Sequence, residues 1–205
     1  MLLRKGGQVS IDNEHISVMR DRCIDLLSPA IESAENPVVV DATLGFGGHT
    51  QALLQRFPHL TVIAIDRDHE AITKATARLS EFGDRLLTAH QSFDAIGEVV
   101  HSFGFKKIDG ALFDLGTSSM QLDQSERGFS YSQDAPLDMR MDRRQSLTAA
   151  EIVNTYEPGQ LVRILRTYGE EKFATRIVES IVKAREIAPM NSTAQLAALV
   201  KEAIP

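Results

Sequence analysis

Three aspartates and one glycine-rich turn are the residues of this chain whose types and spacing best suit chemistry. Asp41, Asp66 and Asp114 each end a short apolar run, and Gly45-Phe46-Gly47-Gly48 follows the first of these runs. Glycine lets the backbone turn with positive φ and leaves no Cβ atom between a ligand and the main chain. Because carboxylates accept hydrogen bonds and attract cations, the pattern predicts a binding site for a small molecule with hydroxyl or ammonium groups.

The spacing around the glycine turn differs from that of a dinucleotide site. The residues read Asp41-x-x-x-Gly45-x-Gly47-Gly48, which is not the full G-x-G-x-x-G pattern that cradles a pyrophosphate. S-adenosylmethionine has no pyrophosphate, and its ammonium, carboxylate and ribose suit an acidic strand end beside a glycine turn. A glycine turn without a ligand would explain this motif taken alone. The acidic ends of the later runs favour the ligand-binding interpretation.

The second apolar run, residues 60–66, ends where nucleotide-binding units carry an acid for the ribose. Asp66 lies 25 residues beyond Asp41, at the place where nucleotide-binding units put a carboxylate to accept hydrogen bonds from both ribose hydroxyls. The alternative role is to cap the helix predicted over residues 70–82, and Asp68 suits that role better. We therefore predict that Asp66 binds ribose.

Phe93 follows the third predicted strand, residues 85–90, at the same outlet. An aromatic ring there could cover the face of an adenine. It could equally act as a hydrophobic staple on the helix that follows, and the spacing does not choose between the two roles.

These residues require a sheet whose strands end at one edge. The predicted strands are residues 38–41, 60–66, 85–90 and 108–114. Strands that alternate with helices form a parallel sheet with right-handed crossovers, and its ligands bind beyond the carboxyl ends of the strands. An isolated Asp at a strand end is usually a turn residue. Three of them beside one glycine turn predict an α/β fold in which Asp41, Asp66 and Asp114 converge on one crevice.

The remaining segments surround this sheet. An amphipathic helix is predicted over residues 17–34 despite Pro29. Residues 120–145 show no regular period, and their aromatic residues indicate a functional loop rather than disorder. Capping patterns at Thr148 and Ser192 predict helices beyond the loop. We therefore predict a cofactor-binding domain over residues 1–138 and a helical, substrate-side subdomain over residues 139–205.

Composition limits the compartment and the partners. The chain has 205 residues, 43% of them hydrophobic, enough for one main core. Its single cysteine, Cys23, excludes an internal disulfide and fits a reducing compartment. Residues 1–7 lack the apolar core of a signal peptide, and no run is long enough to span a bilayer. We expect a cytoplasmic protein without a membrane partner, and no metal-ligand cluster is visible.

The charge distribution indicates where a polyanion could bind. The net charge is -6, from 22 basic and 28 acidic side chains, but residues 139–205 carry a slight basic excess. Basic side chains that face outward on predicted helices are Arg163, Arg166, Lys172, Arg176 and Lys183. Such residues are usually only solvated, and an RNA contact is the alternative.

The irregular loop carries motifs of a known family. Met120-Gln121-Leu122-Asp123, Glu126-Arg127-Gly128-Phe129-Ser130 and Pro136-Leu137-Asp138-Met139-Arg140-Met141-Asp142 resemble the signature of the bacterial MraW/RsmH-type methyltransferases. Further matching segments are His15-x-x-Val18, Gly45-Phe46-Gly47-Gly48-His49, Ala64-Ile65-Asp66-Arg67-Asp68, Asp114-Leu115-Gly116 and Tyr168-Gly169-Glu170-Glu171. The resemblance covers almost all of the chain.

The resemblance implies a fold, a reaction and a set of contacts. The fold is the Rossmann-like class I fold of S-adenosylmethionine-dependent methyltransferases with an inserted helical subdomain. The reaction is methylation of N4 of a cytidine in the decoding region of small-subunit (16S) ribosomal RNA, as free RNA or in the assembled small subunit. The implied cofactor contacts are Gly47, Gly48, His49, Asp66, Phe93, Asp114 and Gln121.

Asp114 is the candidate catalytic residue as well as a cofactor contact. A carboxylate beside the cofactor could accept the N4 hydrogens of the cytosine, and it could equally serve the cofactor alone. The sequence does not fix the oligomeric state, and a homodimer is one option.

The resemblance departs at the end of the chain. Family members resemble it through the helical subdomain and then add strands and a Ser-Phe-His-Ser segment. We therefore expect a fragment in which the fourth strand keeps a free apolar edge. Two alternatives to an active rRNA methyltransferase stay open: a piece that binds the cofactor without turnover, and a nucleotide-dependent oxidoreductase, which the missing G-x-G-x-x-G disfavours.

Overall fold

The computed structural model describes residues 17–204, and of residues 119 and 120 only the backbone. Residues 1–7 and His15, used above, lie outside the described residues. The chain divides into two compact units. The first comprises Met1–Asp66 and Glu70–Asp114, and the second comprises Arg67–His69 and Leu115–Pro205.

The first unit is built on a four-stranded parallel sheet. Its strands are β1 (Val38–Asp41), β2 (Thr61–Asp66), β3 (Leu86–His90) and β4 (Gly110–Leu112). Their order is β3-β2-β1-β4, so β1 is hydrogen bonded along both edges. Because Val38, Val39 and Val40 are all buried, both faces of β1 are covered, as the apolar run predicts. The predicted Rossmann-like α/β fold is confirmed.

Helices alternate with these strands: α1 (Arg20–Ser33), α2 (Gly48–Arg56), α3 (His69–Arg78) and α4 (Ile96–Ser102). Side chains of one strand point alternately to opposite faces of a sheet, and two apolar clusters follow from this. On one face Val39 and Val62 pack with Leu53 of α2. On the other, Val40 and Ile63 share a cluster with residues of α4.

The first helix, α1, continues through Pro29, as expected. Proline has no N–H, so the carbonyl of Asp25 loses its usual helical donor at this point. At the preceding residue, the Ser28 hydroxyl donates to the Ile24 carbonyl at 2.8 Å. Buried Ile24, Ser28 and Ile31 form the inner side of the helix.

The short strand β4 lies at one edge of the sheet, since β1 is its only partner among the described strands. Asp109 strengthens this pairing from the position before the strand. Its backbone N–H donates to the Val38 carbonyl at 2.7 Å, and its carboxylate accepts from the Val38 N–H at 2.8 Å. Ala111 is exposed on the strand and Phe113 just after it. Apolar side chains are therefore exposed on this strand and next to it.

The second unit is helical: α5 (Ser119–Asp123), α6 (Ala149–Thr155), α7 (Pro158–Gly169), α8 (Ala174–Ile187) and α9 (Thr193–Ala203). The predicted caps are confirmed, because Thr148 Oγ1 accepts from Glu151 N–H and Ser192 Oγ accepts from Gln195 N–H. A stripe of α8 is buried in the core of this unit. Among residues 17–204, no helix combines the length and the apolar character that crossing a lipid bilayer requires.

The loop before α6 belongs to this helical unit. The Leu137 N–H donates to the Asn191 carbonyl at 2.9 Å, and the Leu137 carbonyl accepts from Ala150 N–H at 2.7 Å. These bonds tie the loop to α6 and to the start of α9. The compact unit begins at Leu115, before the sequence-based boundary at residue 139. The functional division into domains 1–138 and 139–205 stays a prediction.

Candidate cofactor site

The glycine turn joins β1 to α2 in a left-handed conformation. Gly45 has φ 50° and Gly47 has φ 77°, values that residues with a Cβ rarely adopt. A Cβ on Gly47 would also lie 2.7 Å from Leu79 Cδ1. The sequence indicated that the missing Cβ leaves room for a ligand, but at Gly47 the room is taken by Leu79. Glycine is required there by its φ and by packing.

The turn leads into the amino end of α2. Gly48 is the first residue of this helix, and a Cβ there would collide with the Ser17 hydroxyl. The first amides of a helix have no partner within the helix and carry partial positive charge. This end of α2 therefore suits an anionic or hydrogen-bond-accepting group of a ligand.

Asp41 supports the turn from inside the protein. Its side chain is buried, accepting from Thr50 Oγ1 at 2.6 Å and from Thr43 N–H at 3.2 Å. Burial raises the pKa of the Asp41 carboxyl, and the hydrogen bond from Thr50 opposes that rise. The expectation that Asp41 lines the crevice together with the other two acids is wrong, because its carboxylate is enclosed by its own turn.

Asp66 holds the same turn from β2. Its Oδ2 accepts a hydrogen bond from the Gly45 N–H at 2.8 Å, and its side chain is only partly buried. The carboxylate that the sequence assigns to ribose therefore lies directly against the glycine turn. This contact keeps the turn and the acid in one fixed arrangement.

Asp114 and His49 lie side by side after β4 and at the start of α2. The Asp114 N–H donates to Thr43 Oγ1 at 2.7 Å, while its side chain is 48% exposed. His49 Nδ1 lies 3.9 Å from Asp114 Oδ2, too far for a direct hydrogen bond. The backbone of Asp114 is therefore held in place, and its carboxylate is accessible.

His49 is buried, although a histidine that opens a helix is more often a surface cap. Its Nε2 lies 3.1 Å from the Val18 carbonyl. Because a carbonyl oxygen only accepts, Nε2 carries the proton of this hydrogen bond. His49 thus links α2 to Val18, which lies just before α1.

Two phenylalanines extend the site. Phe93 and Phe113 have ring centroids 5.9 Å apart and ring planes at 84°, an edge-to-face contact. Phe93 is 39% exposed and so keeps ring surface available to a ligand. The role of Phe93 at an adenine stays a prediction, and Phe113 was not recognised in the sequence because it reads as an ordinary strand residue.

Gln121 belongs to the second unit and is buried there. Its Oε1 accepts from the Ser118 N–H at 3.1 Å, and its Nε2 donates to Asp68 Oδ2 at 3.0 Å. Asp68, expected only as a helix cap, also binds Arg127 at 2.8 Å. The role of Gln121 as a cofactor contact stays a prediction.

The other predicted contacts lie within the first unit, at the ends of strands of the sheet or on the segments that follow them: Gly47, Gly48, His49, Asp66, Phe93 and Asp114. Sequence analysis missed Thr43 and Thr50, which anchor the backbone of Asp114 and the carboxylate of Asp41. Only the bond from the Thr43 amide to Asp41 could have been found, since an Asp whose side chain bonds the amide two residues on is a common turn. Thr50 gave no such signal.

The first unit thus offers one accessible carboxylate, a second acid against a glycine turn, the amino end of a helix and a pair of exposed aromatic rings. Together these groups fit a ligand with a flat heterocycle, hydroxyls and a charged tail. Within residues 17–204, no three His, Cys, Asp or Glu side chains are grouped so that they could hold a metal ion.

Comparison with known proteins gives matches along nearly the whole chain. The Ribosomal RNA small subunit methyltransferase H of Streptomyces avermitilis is 50% identical over 94% of this chain and 60% of its own length. The protein of the same name from Kocuria rhizophila is 52% identical over 95% of this chain and 59% of its own length. The chain therefore spans about 60% of the length of these relatives.

A solved rRNA methylase from Streptococcus thermophilus is 24% identical, with a TM-score of 0.38 over 56% of this chain and 66% of that chain. This likeness is too distant to support a statement about function. By contrast, the model of the MraW methylase family matches residues 12–205. The chain belongs to the MraW methylase family.

Proposed function

We propose that this chain binds S-adenosylmethionine at the carboxyl edge of its sheet. The observation that carries the proposal is the contact of Asp66 Oδ2 with the Gly45 N–H, which holds an acid against a glycine turn. An acid in that place suits the ribose hydroxyls. The amino end of α2 suits the carboxylate of the methionine part, and the exposed rings suit the adenine.

When bound, S-adenosylmethionine supplies a methyl group on a sulfonium for in-line displacement. Positioning accounts for much of the rate of such a reaction. The residues of this chain would therefore act by orienting the two reactants. The Asp66 carboxylate and the glycine turn hold each other in place before any ligand binds, which lowers the ordering cost of binding.

The proposed acceptor is N4 of a cytidine in small-subunit ribosomal RNA. The names of the relatives support the small-subunit RNA, and the resemblance supplies the atom. The lone pair of N4 is delocalised into the ring, so an acceptor for its hydrogens would help direct the lone pair to the methyl group. Asp114 is proposed for this role, because its backbone is fixed by Thr43 and its carboxylate is accessible.

Exposed basic side chains of the second unit support an RNA partner. They lie on α7 and α8 or between these helices: Arg163, Arg166, Lys172, Arg176 and Lys183. Cations on one unit attract a phosphate backbone even where the net charge of the chain is negative. A ribosomal substrate would also place the protein in the cytoplasm.

A second candidate function is cofactor binding without turnover. It is favoured because six of the seven proposed cofactor contacts lie in the first unit, whereas the basic side chains proposed for RNA lie in the second. Cofactor binding therefore does not require the residues proposed for RNA.

Two measurements on the 205-residue chain separate these functions. Calorimetric titration with S-adenosylmethionine tests the cofactor, and transfer of a labelled methyl group to small ribosomal subunits that lack this modification tests the reaction. Binding with transfer supports the methyltransferase, and binding alone supports the second candidate. Binding of a nicotinamide dinucleotide with none of S-adenosylmethionine would overturn both and favour an oxidoreductase.

A further inference from the structure

Phe93 and Phe113 meet although their strands are at opposite edges of the sheet. Phe93 follows β3 and Phe113 follows β4, while β2 and β1 lie between these strands. The two rings nevertheless contact each other edge to face. The pair therefore reaches across the carboxyl ends of the two central strands, which is the edge that carries Asp66 and the glycine turn.

The exposure of this pair is unusual for the first unit. Its other phenylalanines are buried or half-buried, whereas Phe93 is 39% and Phe113 is 49% exposed. Burying a phenylalanine ring is favourable by a few kcal/mol, so rings left in water at a ligand edge need a reason. A ligand that covers them would recover that free energy.

The backbones that carry the rings are fixed. On one side of Phe113 the Asp114 N–H donates to Thr43 Oγ1, and on the other the Leu112 carbonyl accepts from Ala42 N–H at 2.9 Å. Phe93 opens a 3₁₀ turn, Phe93–Ala95, closed by a hydrogen bond from Ala95 N–H to the Ser92 carbonyl at 3.0 Å. The corner between the rings thus exists before a ligand arrives.

We propose that Phe113 is a further cofactor-binding residue, which forms with Phe93 a right-angled aromatic corner for the adenine ring. The proposal rests on the proposed cofactor function. One ring lies against the face of the base and the other meets its polarised edge, the two geometries that aromatic systems prefer. Stacking is tolerant of base identity, so the corner supplies affinity and orientation rather than selection among bases.

This role predicts a defined pattern of affinities. Phe113→Leu keeps an apolar side chain but removes the ring, and we expect about 5- to 30-fold weaker binding. The loss should be the same for S-adenosylhomocysteine and for adenosine, because both carry the base. Phe113→Tyr keeps the ring and should bind like the unaltered chain. Phe173→Leu, which removes a ring of the second unit that is 39% exposed, is the control and should not change the affinity.

A spectroscopic measurement separates a contact with the base from a merely structural effect. The emission of 2-aminopurine riboside is quenched when its base stacks on an aromatic ring. With the unaltered chain and with Phe113→Tyr we expect strong quenching of the bound probe, and with Phe113→Leu weaker quenching at saturation. In the double variant Phe93→Leu/Phe113→Leu, the loss of binding free energy should differ from the sum of the losses in the two single variants, because both residues contact one partner.

The outcomes distinguish this inference from the function on which it rests. Suppose that the unaltered chain binds S-adenosylhomocysteine and that Phe113→Leu binds S-adenosylhomocysteine and adenosine as tightly as the unaltered chain does. The corner is then wrong and the cofactor function stands. A loss for S-adenosylhomocysteine without a loss for adenosine also overturns the corner. If the unaltered chain binds neither ligand, the cofactor function and the corner fall together.

Discussion

The guanidinium of Arg127 donates a hydrogen bond of 2.8 Å to the carboxylate of Asp68, and the two side chains are only 2% and 5% exposed. Arg127 also donates to the carbonyls of Arg140 and Met141, and Asp68 also accepts from Gln121. One buried ion pair therefore joins three separated stretches of the second unit.

Removing the cation of this pair should destabilise the second unit strongly. Arg127→Met leaves the Asp68 carboxylate buried without its counter-charge, and we expect a loss of about 3–5 kcal/mol in the free energy of unfolding. All three tyrosines, Tyr131, Tyr156 and Tyr168, lie in this unit, and the chain has no tryptophan. Tyrosine fluorescence during urea unfolding therefore reports on the second unit alone.

The matched control for that substitution is Arg163→Met on the exposed side of α7. Surface substitutions usually change the free energy of unfolding by less than about 0.5 kcal/mol. Equal effects of the two changes would show that the buried pair contributes no more to the free energy of unfolding than an exposed arginine does.

Asp41 should make the first unit less stable as the pH rises. Burial raises the pKa of its carboxyl above the ordinary value of 3.8, so the folded chain keeps a proton that the unfolded chain has lost. The free energy of unfolding then falls as the pH rises through the folded pKa. Asp41→Asn cannot ionise and should lack this part of the decline.

Urea unfolding followed by circular dichroism, at pH values from about 2 to about 7, measures this difference. Asp138→Asn is the opposite control. The hydrogen bond from Arg140 lowers the pKa of the Asp138 carboxyl, so its contribution is present above the unfolded pKa and lost as the pH falls through the folded one. Parallel pH curves for the unaltered chain and Asp41→Asn would refute the effect of burial.

Gly47 and Gly104 form a matched pair for the glycine turn. Both have positive φ, 77° and 85°, and the hydrogen bonds of Gly104 and Phe105 to the end of α4 are those of a left-handed helix cap. Alanine should therefore cause comparable backbone strain at either position. Only at Gly47 would the new Cβ meet Leu79; at Gly104 nothing lies within 4 Å. We expect Gly47→Ala to cost about 1–3 kcal/mol more free energy of unfolding than Gly104→Ala. Equal melting curves would contradict the packing explanation.

Asp66→Asn tests the ribose role without dismantling the turn. The amide keeps one oxygen for the Gly45 N–H but replaces the second acceptor with a donor. We expect cofactor binding to weaken by about 1–3 kcal/mol, measured by calorimetry with S-adenosylhomocysteine. Asp84→Ala, an exposed acid just before β3, should bind normally. Unchanged affinity in Asp66→Asn would remove this residue from the ribose.

The sequence predicted the elements that local pattern determines. Three valines identified β1, glycine spacing identified the turn, and two capping patterns identified the starts of α6 and α9. The fourth strand was predicted over residues 108–114 but is limited to Gly110–Leu112. Only one neighbour pairs with it among the described strands, so its ends leave the ladder early. The five residues of α5 were missed, because so short a helix shows no period.

What the sequence could not predict depends on contacts between distant segments. The order of the strands, the meeting of Phe93 with Phe113 and the pairing of Asp68 with Arg127 have no local signal. The burial of His49 likewise follows from the Val18 carbonyl and not from its place at a helix start. The site residues thus stay predictions from the sequence, whereas partners such as Thr43 for Asp114 and Gly45 for Asp66 are visible only in the fold.

The bond between Asp109 and Val38 has a consequence for the order of folding. It joins residues 71 positions apart, whereas β1 and β2 are separated by little more than one helix. Closing the longer loop costs more chain entropy, and contacts distant in sequence form slowly. During refolding, β1 should therefore associate with β2 before β4 arrives. In pulse-labelled hydrogen exchange, the Leu44 amide, which donates to Ile65, should gain protection before the Asp109 amide.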